Sequence, residues 1–469
     1  MSEAGNASVV LEQPLGLGEL ATVLSGRLMG PDVRFGSVSI DTRTLAAGDL
    51  FVALRGPHFD GHGFLAEAGA RGAVAALVER AETGELPIVI VNDTRLALGR
   101  FAAWWRARFS LPIAAITGSN GKTTTKEMLA QILSAWGEGV VTRGNLNNEI
   151  GVPLTLLRLG RAHRFAVVEM GAGRAGDIDY LSRIAQPDAA VVTNAGLAHL
   201  AGFGNIDGVA RTKGEIFSAL GPDGIAVINI DDPYAELWRT MAGSRRIIRF
   251  GMRGAADVQA RAVRRDADLC YAFDLVTPEG TAPVGLRVPG RHNVMNALAA
   301  AGLAHALGAT LDQAARGLGA MRGAPRRLQA RAGVSGAVVI DDTYNANPGS
   351  AQAALELLAD AGADRERWLV LGDMAELGEG SQSLHQEIGR LARAQGVDRL
   401  YALGDLAAVS AGAFGTGARR FSSHDDVIEV LRRDLNRAGS ADRVIILVKG
   451  SRSTRMDRIA DAVVVRDGG

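Results

Sequence analysis

Pro112-Ile113-Ala114-Ala115-Ile116-Thr117-Gly118-Ser119-Asn120-Gly121-Lys122-Thr123-Thr124 decides the architecture of the chain. An apolar run of strand length passes into a turn with two glycines and then into residues that open a helix. That order of strand, glycine-rich turn and helix start cradles nucleotide phosphates. Backbone N–H groups of Gly118, Ser119, Asn120, Gly121 and the residues after them would face phosphate. Lys122 would neutralise the β/γ oxygens, and Thr123, followed by Thr124, would offer a hydroxyl to Mg²⁺. ATP and Mg²⁺ are therefore expected. The stretch departs from the common G-x-x-x-x-G-K-[ST] spacing: Ile116 stands where the first glycine belongs, and Gly118 comes two residues later. The bland alternative is a tight turn before a helix, and Gly-Lys-Thr-Thr directly after an apolar strand argues against it.

Lys122 is one of only four lysines among 51 basic residues; the other 47 are arginines. The two are exchangeable on a solvated surface. Lysine is needed where the chemistry calls for a compact charge or a deprotonatable amine. The remaining lysines are Lys126, Lys213 and Lys449.

At 469 residues the chain is too long for one core, and two to four domains are expected. Apolar residues make up 47% and charged residues 22%, with zero net charge. That balance suggests neither a nucleic-acid partner nor a membrane surface. A single cysteine, Cys270, excludes an internal disulfide and fits a reducing compartment. The first residues lack a basic and apolar leader, and no apolar run approaches about 20 residues, so a soluble cytoplasmic protein without a membrane span is expected.

Short apolar runs alternate with amphipathic stretches, the α/β signature. Three blocks follow: 1–109, 110–322 and 323–469. The first has strand candidates at 49–54, 73–78 and 87–91 and a helix at 94–109. The second has them at 112–117, 165–169, 189–193, 224–230 and 246–250. Antiparallel strands exposed on one face follow near 258–288, then an Ala-rich helix at 292–307. The third has strands at 337–341, 368–371, 399–403 and 444–448.

Several polar residues follow strand ends, where an open α/β sheet places its ligand crevice. Glu169 closes Phe165-Ala166-Val167-Val168-Glu169 and could hold Mg²⁺ or orient its water; a surface Glu is the alternative. His199 follows the strand ending at Thr193-Asn194 and is a second metal or phosphate candidate, although a lone His is more often structural. Lys213, in Lys213-Gly214-Glu215-Ile216-Phe217, reads either as a surface cation or as a kept functional amine. Asn145-Leu146-Asn147-Asn148 offers amides for a polar substrate, or a turn of purely conformational origin.

These motifs, with Arg291-His292-Asn293-Val294-Met295-Asn296, resemble the Mur ligases, ATP-dependent amide-forming enzymes of peptidoglycan precursor synthesis. The shifted glycine is that family's own form of the loop. Asp41-Thr42-Arg43, residues 48–54 and Asp60-Gly61-His62 are similar to the family's uridine-nucleotide-binding domain. Residues 341–348 and 371–378 are similar to the member that joins D-alanyl-D-alanine to UDP-N-acetylmuramoyl-tripeptide (UDP-MurNAc-tripeptide). The resemblance implies an N-terminal uridine-nucleotide-binding domain, a central P-loop ATPase-type domain and a Rossmann-like C-terminal domain for the amine. It implies that Lys122 and Thr123 handle phosphate and Mg²⁺. Glu169, His199 and a carbamylated Lys213 would hold a second Mg²⁺. Asn293 and Asp342 would contact the nucleotide. An arginine of the third domain would reach the γ-phosphate, with Arg327 preferred to its neighbour Arg326. Asp41, Thr42, Arg43, Asn147, Asn148, Asn345, Asn347, Lys449 and Arg452 would face substrate, and the enzyme would act as a monomer.

Two alternatives stay open at this stage. The member adding the third residue, diaminopimelate or lysine, carries an acidic-Pro-Arg motif that is absent after residue 323. A P-loop NTPase switch would hydrolyse ATP without either substrate.

Overall fold

The computed structural model describes residues 8–56, 59–81, 84–197, 200–361, 365–438 and 443–465. His199 lies outside the described residues. Three α/β layers follow one another along the chain.

The central layer is a nine-stranded sheet. Its order is Gly139–Val141, Phe165–Glu169, Ile113–Thr117, Ala189–Val192, Ile225–Asn229, Arg246–Gly251, Val258–Arg265, Cys270–Thr277 and Gly280–Pro289. The first seven run parallel. Ile113–Thr117 lies between two parallel neighbours with every residue buried, which is why it reads as an unbroken apolar run. Gly280–Pro289 alternates buried and exposed positions, as expected for a strand solvated on one face.

Helices cover both faces of this sheet. On one face Met128, Leu129 and Ile132 of helix Lys122–Leu133 pack with Ala297, Leu298 and Ala301 of helix His292–Ala306. Alanine lets the two helices approach closely. On the other face the core is shared with the first layer: a single cluster runs from Leu17 and Phe35 through Trp105 to Ile113, Leu181 and Trp238. Trp105 closes this seam by donating its indole N–H to the carbonyl of Leu159 at 3.1 Å.

The first layer orders its strands Val9–Gly16, Arg34–Ser39, Asp49–Val52, Ala75–Val78, Ile88–Ile90 and Arg27–Met29, antiparallel at both edges. The third orders them Gln329–Ala332, Val338–Asp342, Val444–Lys449, Glu366–Gly372, Arg399–Leu403 and Ala418–Phe421, parallel apart from the first. Two helices end sooner than their sequence patterns suggest, at Arg106 and Ala306.

Candidate active site

The strands of the central sheet deliver their C-terminal ends to one cavity of about 1050 Å³. Ser119–Thr124 follow Ile113–Thr117, Gly171 follows Phe165–Glu169, and Asn194 follows Ala189–Val192. The third layer forms the opposite wall in the same way: Tyr344 and Asn345 follow Val338–Asp342, and Ser451 and Arg452 follow Val444–Lys449. The parallel portions of two sheets thus face each other across the crevice that such strands use for ligands.

The phosphate loop is held in shape by its neighbours. Gly118 has φ +142° and Gly121 φ +81°. A Cβ at Gly118 would stand 1.9 Å from Thr193 Oγ1, and one at Gly121 would stand 2.1 Å from Asn296 Oδ1, so both positions require glycine. Asn194 accepts from the N–H groups of Ser119 and Asn120, each at 3.0 Å. Thr193 Oγ1 donates to the Asn120 carbonyl at 2.6 Å. Helix Lys122–Leu133 opens at Gly121 with no side-chain cap. Its first-turn N–H groups therefore lack intrahelical partners and face the cavity with the positive end of the helix dipole.

Lys122 donates to the Gly118 carbonyl at 2.7 Å. Burial pulls its ammonium below the ordinary lysine range; Glu169 opposes this and Arg327 adds to it. Thr123 Oγ1 donates to Glu169 Oε2 at 2.8 Å, and Asn147 Nδ2 donates to Glu169 Oε1 at 2.8 Å. Lys126, almost wholly buried, stands 3.9 Å from the same carboxylate. Lys213 is 2% exposed. Burial first, then the charge of Lys122, brings it down to about 7, against the pull of Asp177 and Glu215.

Arg327 crosses from the third layer and donates Nη2 to Thr123 Oγ1 at 3.0 Å. Its neighbour Arg326 turns away to Asp457 and Asp461, each at 3.2 Å. Of the two adjacent arginines, Arg327 is thus the one that lies on the phosphate loop. Asn347 caps helix Pro348–Asp360 and donates Nδ2 to Asn120 Oδ1 at 2.9 Å, a second bond across the crevice.

The other sequence candidates divide into groups. Asn293 lines the cavity with its amide held by the Pro289 carbonyl and by Asn296. Asp342 lines it with one oxygen on Lys449 Nζ at 2.5 Å. Lys449 is 2% exposed and also donates to the Asn345 carbonyl, so its ammonium braces the wall. Asn148 accepts from Ile150 and Gly151 N–H groups, the conformational alternative raised for that loop. Asp41, Thr42 and Arg43 lie at the end of strand Arg34–Ser39 and are not among the residues lining this cavity. Asp41 caps the turn and pairs with Arg43 at 2.6 Å.

Thr123 and Glu169 already bring two hard oxygens together. Among the described residues there is no cluster of three or more His, Cys, Asp or Glu side chains. One carboxylate and one hydroxyl beside a phosphate cradle suit Mg²⁺, which takes few protein ligands and completes its shell with substrate phosphate and water.

Three family models match the chain in order: the Mur ligase family catalytic domain at residues 34–105, the Mur ligase middle domain at 116–304, and the Mur ligase glutamate ligase domain at 326–452. The UDP-N-acetylmuramoyl-tripeptide--D-alanyl-D-alanine ligase of Escherichia coli (strain K12) is 43% identical over 448 residues, covering 95% of this chain and 98% of that protein. The chain belongs to the Mur ligase family. Within the family, the crystal structure of MurF from Acinetobacter baumannii matches with a TM-score of 0.91 at 37% identity, covering 97% of this chain and 99% of that one. MurF from Thermotoga maritima, solved in complex with ADP, matches at 0.81 and 30% identity, covering 91% and 96%. No helix among the described residues is long and apolar enough to cross a membrane.

Sequence reasoning missed two parts of this Mur ligase site. Thr193 and Asn194 clamp the phosphate loop. Tyr344 lies against Arg327, whose Cζ is 3.9 Å from the ring centroid. All three sit directly after strand ends, and that position was the available signal.

Proposed function

We infer that this Mur ligase joins D-alanyl-D-alanine to UDP-N-acetylmuramoyl-tripeptide at the expense of ATP, giving the pentapeptide, ADP and phosphate. The observation that carries the reading is the bond from Arg327 to Thr123: a cation of the third layer sits on the phosphate loop of the second. That contact assembles a phosphoryl-transfer site only when the two layers meet, as a two-substrate ligase requires.

A carboxylate is a poor electrophile. Phosphorylation by ATP turns it into an acyl phosphate with a good leaving group. Bringing two anions together needs positive charge on the transferring oxygens. Lys122, Arg327 and the first-turn N–H groups of helix Lys122–Leu133 supply it. Mg²⁺ held by Thr123, Glu169 and a carbamylated Lys213 would neutralise further phosphate charge. The free amine of the dipeptide then attacks the acyl carbon, and the tetrahedral adduct expels phosphate while the nitrogen loses its proton. Walls contributed by two layers hold the reactants in line and keep water from the acyl phosphate.

In this reading residues 1–109 bind the UDP-MurNAc-peptide through Asp41, Thr42 and Arg43. Residues 110–322 bind ATP with Asn293, helped by Asp342, and residues 323–469 bind the amine with Asn345, Asn347 and Arg452. His199 joins the second metal site. The enzyme acts, in this reading, as a cytoplasmic monomer. Phosphate release measured with UDP-MurNAc-tripeptide, with and without D-alanyl-D-alanine, tests the proposal. Release that requires both substrates is expected. ATP hydrolysis independent of both would point to an NTPase switch.

A further inference from the structure

Helix Pro348–Asp360 of the third layer is held by the central layer at both of its ends. At its start the cap residue Asn347 donates to Asn120 of the phosphate loop at 2.9 Å. At its finish Tyr271 Oη donates to Asp360 Oδ2 at 2.8 Å. Arg265 meets the same residue twice: it donates to the Asp360 carbonyl, and its guanidinium stands 3.8 Å from the carboxylate. Arg265 and Tyr271 are direct partners across the antiparallel strands Val258–Arg265 and Cys270–Thr277. Just before the second strand, Leu269 packs against the core of the third layer. It does so with φ +61°, a conformation that a branched side chain rarely adopts. None of these four residues is among those lining the cavity. The position of Asp360 is informative. An acid at a helix C-terminus opposes the helix dipole, and the last turn here contains no basic residue. The third layer thus places a carboxylate where its own helix disfavours one. The hydroxyl and the cation that offset this belong to the central layer.

We propose that Arg265, Leu269 and Tyr271 form a clasp on Asp360 that holds the third layer closed over the central one. The four are positioning residues, acting on the reaction through Asn347 and Arg327. The helix has 13 residues and is about 20 Å long, so the clasp works that far from the phosphate loop and touches no reacting atom. Releasing it frees the far end of the helix whose near end carries Asn347. The third layer can then swing out, which takes Arg327 off Thr123 and admits water to the acyl phosphate. The proposal rests on the reading that both layers build the ligase site. The ion pair is more than one-third exposed on each side and adds little. The phenol bond to a carboxylate carries most of the bias, about tenfold in favour of closure.

The test compares the full-length wild type with Tyr271→Phe, Asp360→Ala and the double variant. Small-angle X-ray scattering with adenylyl imidodiphosphate and Mg²⁺ reads closure. Steady-state assays read KM for D-alanyl-D-alanine, and phosphate release from ATP and UDP-MurNAc-tripeptide without any amine reads the loss of acyl phosphate to water. Each single variant should show a larger radius of gyration, a KM for the dipeptide raised about tenfold, and faster amine-free phosphate release. Affinity for UDP-MurNAc-tripeptide alone should stay at the wild-type value. The double variant should be no worse than either single one, because both remove the same bond. A merely structural role would lower the melting temperature and leave the radius of gyration and amine-free release unchanged. That result, or single effects that add in the double variant, overturns the proposal and leaves the ligase reading intact. A wild type that ligates no dipeptide overturns the ligase reading, and the scattering comparison then decides the clasp by itself.

Discussion

Lys213→Arg should remove nearly all ligation while leaving the fold and nucleotide binding in place. The reason is a proton. Burial and the nearby charge of Lys122 bring Lys213 down to about 7. At pH 7.5 a lysine of ordinary pKa is about 0.1% neutral, whereas one near 7 is roughly three-quarters neutral, a gain of about 10³ in free amine. Only the free amine attacks CO₂, and the resulting carbamate exchanges a cation for an oxygen ligand of the kind Mg²⁺ takes. A guanidinium stays protonated in proteins, so arginine keeps the charge and loses the chemistry. The loss should be about 10²–10³ in kcat, the size of one strong electrostatic contact in an active site. Phosphate-release assays in CO₂-depleted buffer should show low activity in the wild type that bicarbonate restores, and no response in Lys213→Arg. With ¹³C-labelled bicarbonate, NMR should show a carbamate carbon in the wild type that is missing from the variant. Because capture needs the neutral amine, the carbamate signal should grow as pH rises through about 7. Wild-type turnover in Lys213→Arg, or activity indifferent to CO₂ together with no carbamate carbon, would refute the reasoning.

Lys122→Ala should cost about 10²–10³ in rate with an unchanged circular dichroism spectrum, because the loop amides survive and only the charge at the β/γ oxygens goes. Arg327→Ala should show a similar loss. Arg326→Ala should turn over normally and merely melt earlier, since Arg326 serves Asp457 and Asp461 on the far side. Acid should destabilise the fold. Burial holds His292 near 4, with Asp342 opposing and Lys449 adding, against an ordinary 6.5. Between those values the unfolded chain binds a proton that the folded chain does not, so stability falls as pH drops through that window. The melting temperature should be lower at pH 5 than at pH 7, and the drop should be smaller in His292→Asn.

Much of this Mur ligase site was legible because its chemistry follows strand ends. Parallel strands buried on both faces are long apolar runs, so 112–117, 165–169 and 189–193 could be read directly, and with them the loops that carry Lys122 and Glu169. Most edge strands were not legible. Val9–Gly16, Arg27–Met29, Gly139–Val141, Gln329–Ala332 and Ala418–Phe421 lie at sheet margins, and most are short or largely solvated. Their polar composition looks like loop. Lysine scarcity pointed to Lys213, and the structure buries it. The same argument pointed less well to Lys449, because a buried ion pair with Asp342 keeps a lysine as firmly as a substrate would. Partnerships between layers, such as Arg327 with Thr123 and Asn347 with Asn120, join residues more than 200 positions apart, and no local pattern encodes them. Asn148 shows the opposite case: a polar loop residue whose side chain is used by its own turn.

The central claim is that the amine substrate is a D,D-dipeptide, and the product itself tests it most directly. The purified enzyme is incubated with ATP, Mg²⁺ and UDP-MurNAc-tripeptide, with D-alanyl-D-alanine, meso-diaminopimelate or L-lysine in parallel, and the nucleotide products are weighed by mass spectrometry. A mass increase equal to D-alanyl-D-alanine less one water, in the dipeptide reaction alone and matched by phosphate release, is the predicted result. Ligation of either single amino acid with none of the dipeptide would contradict the account.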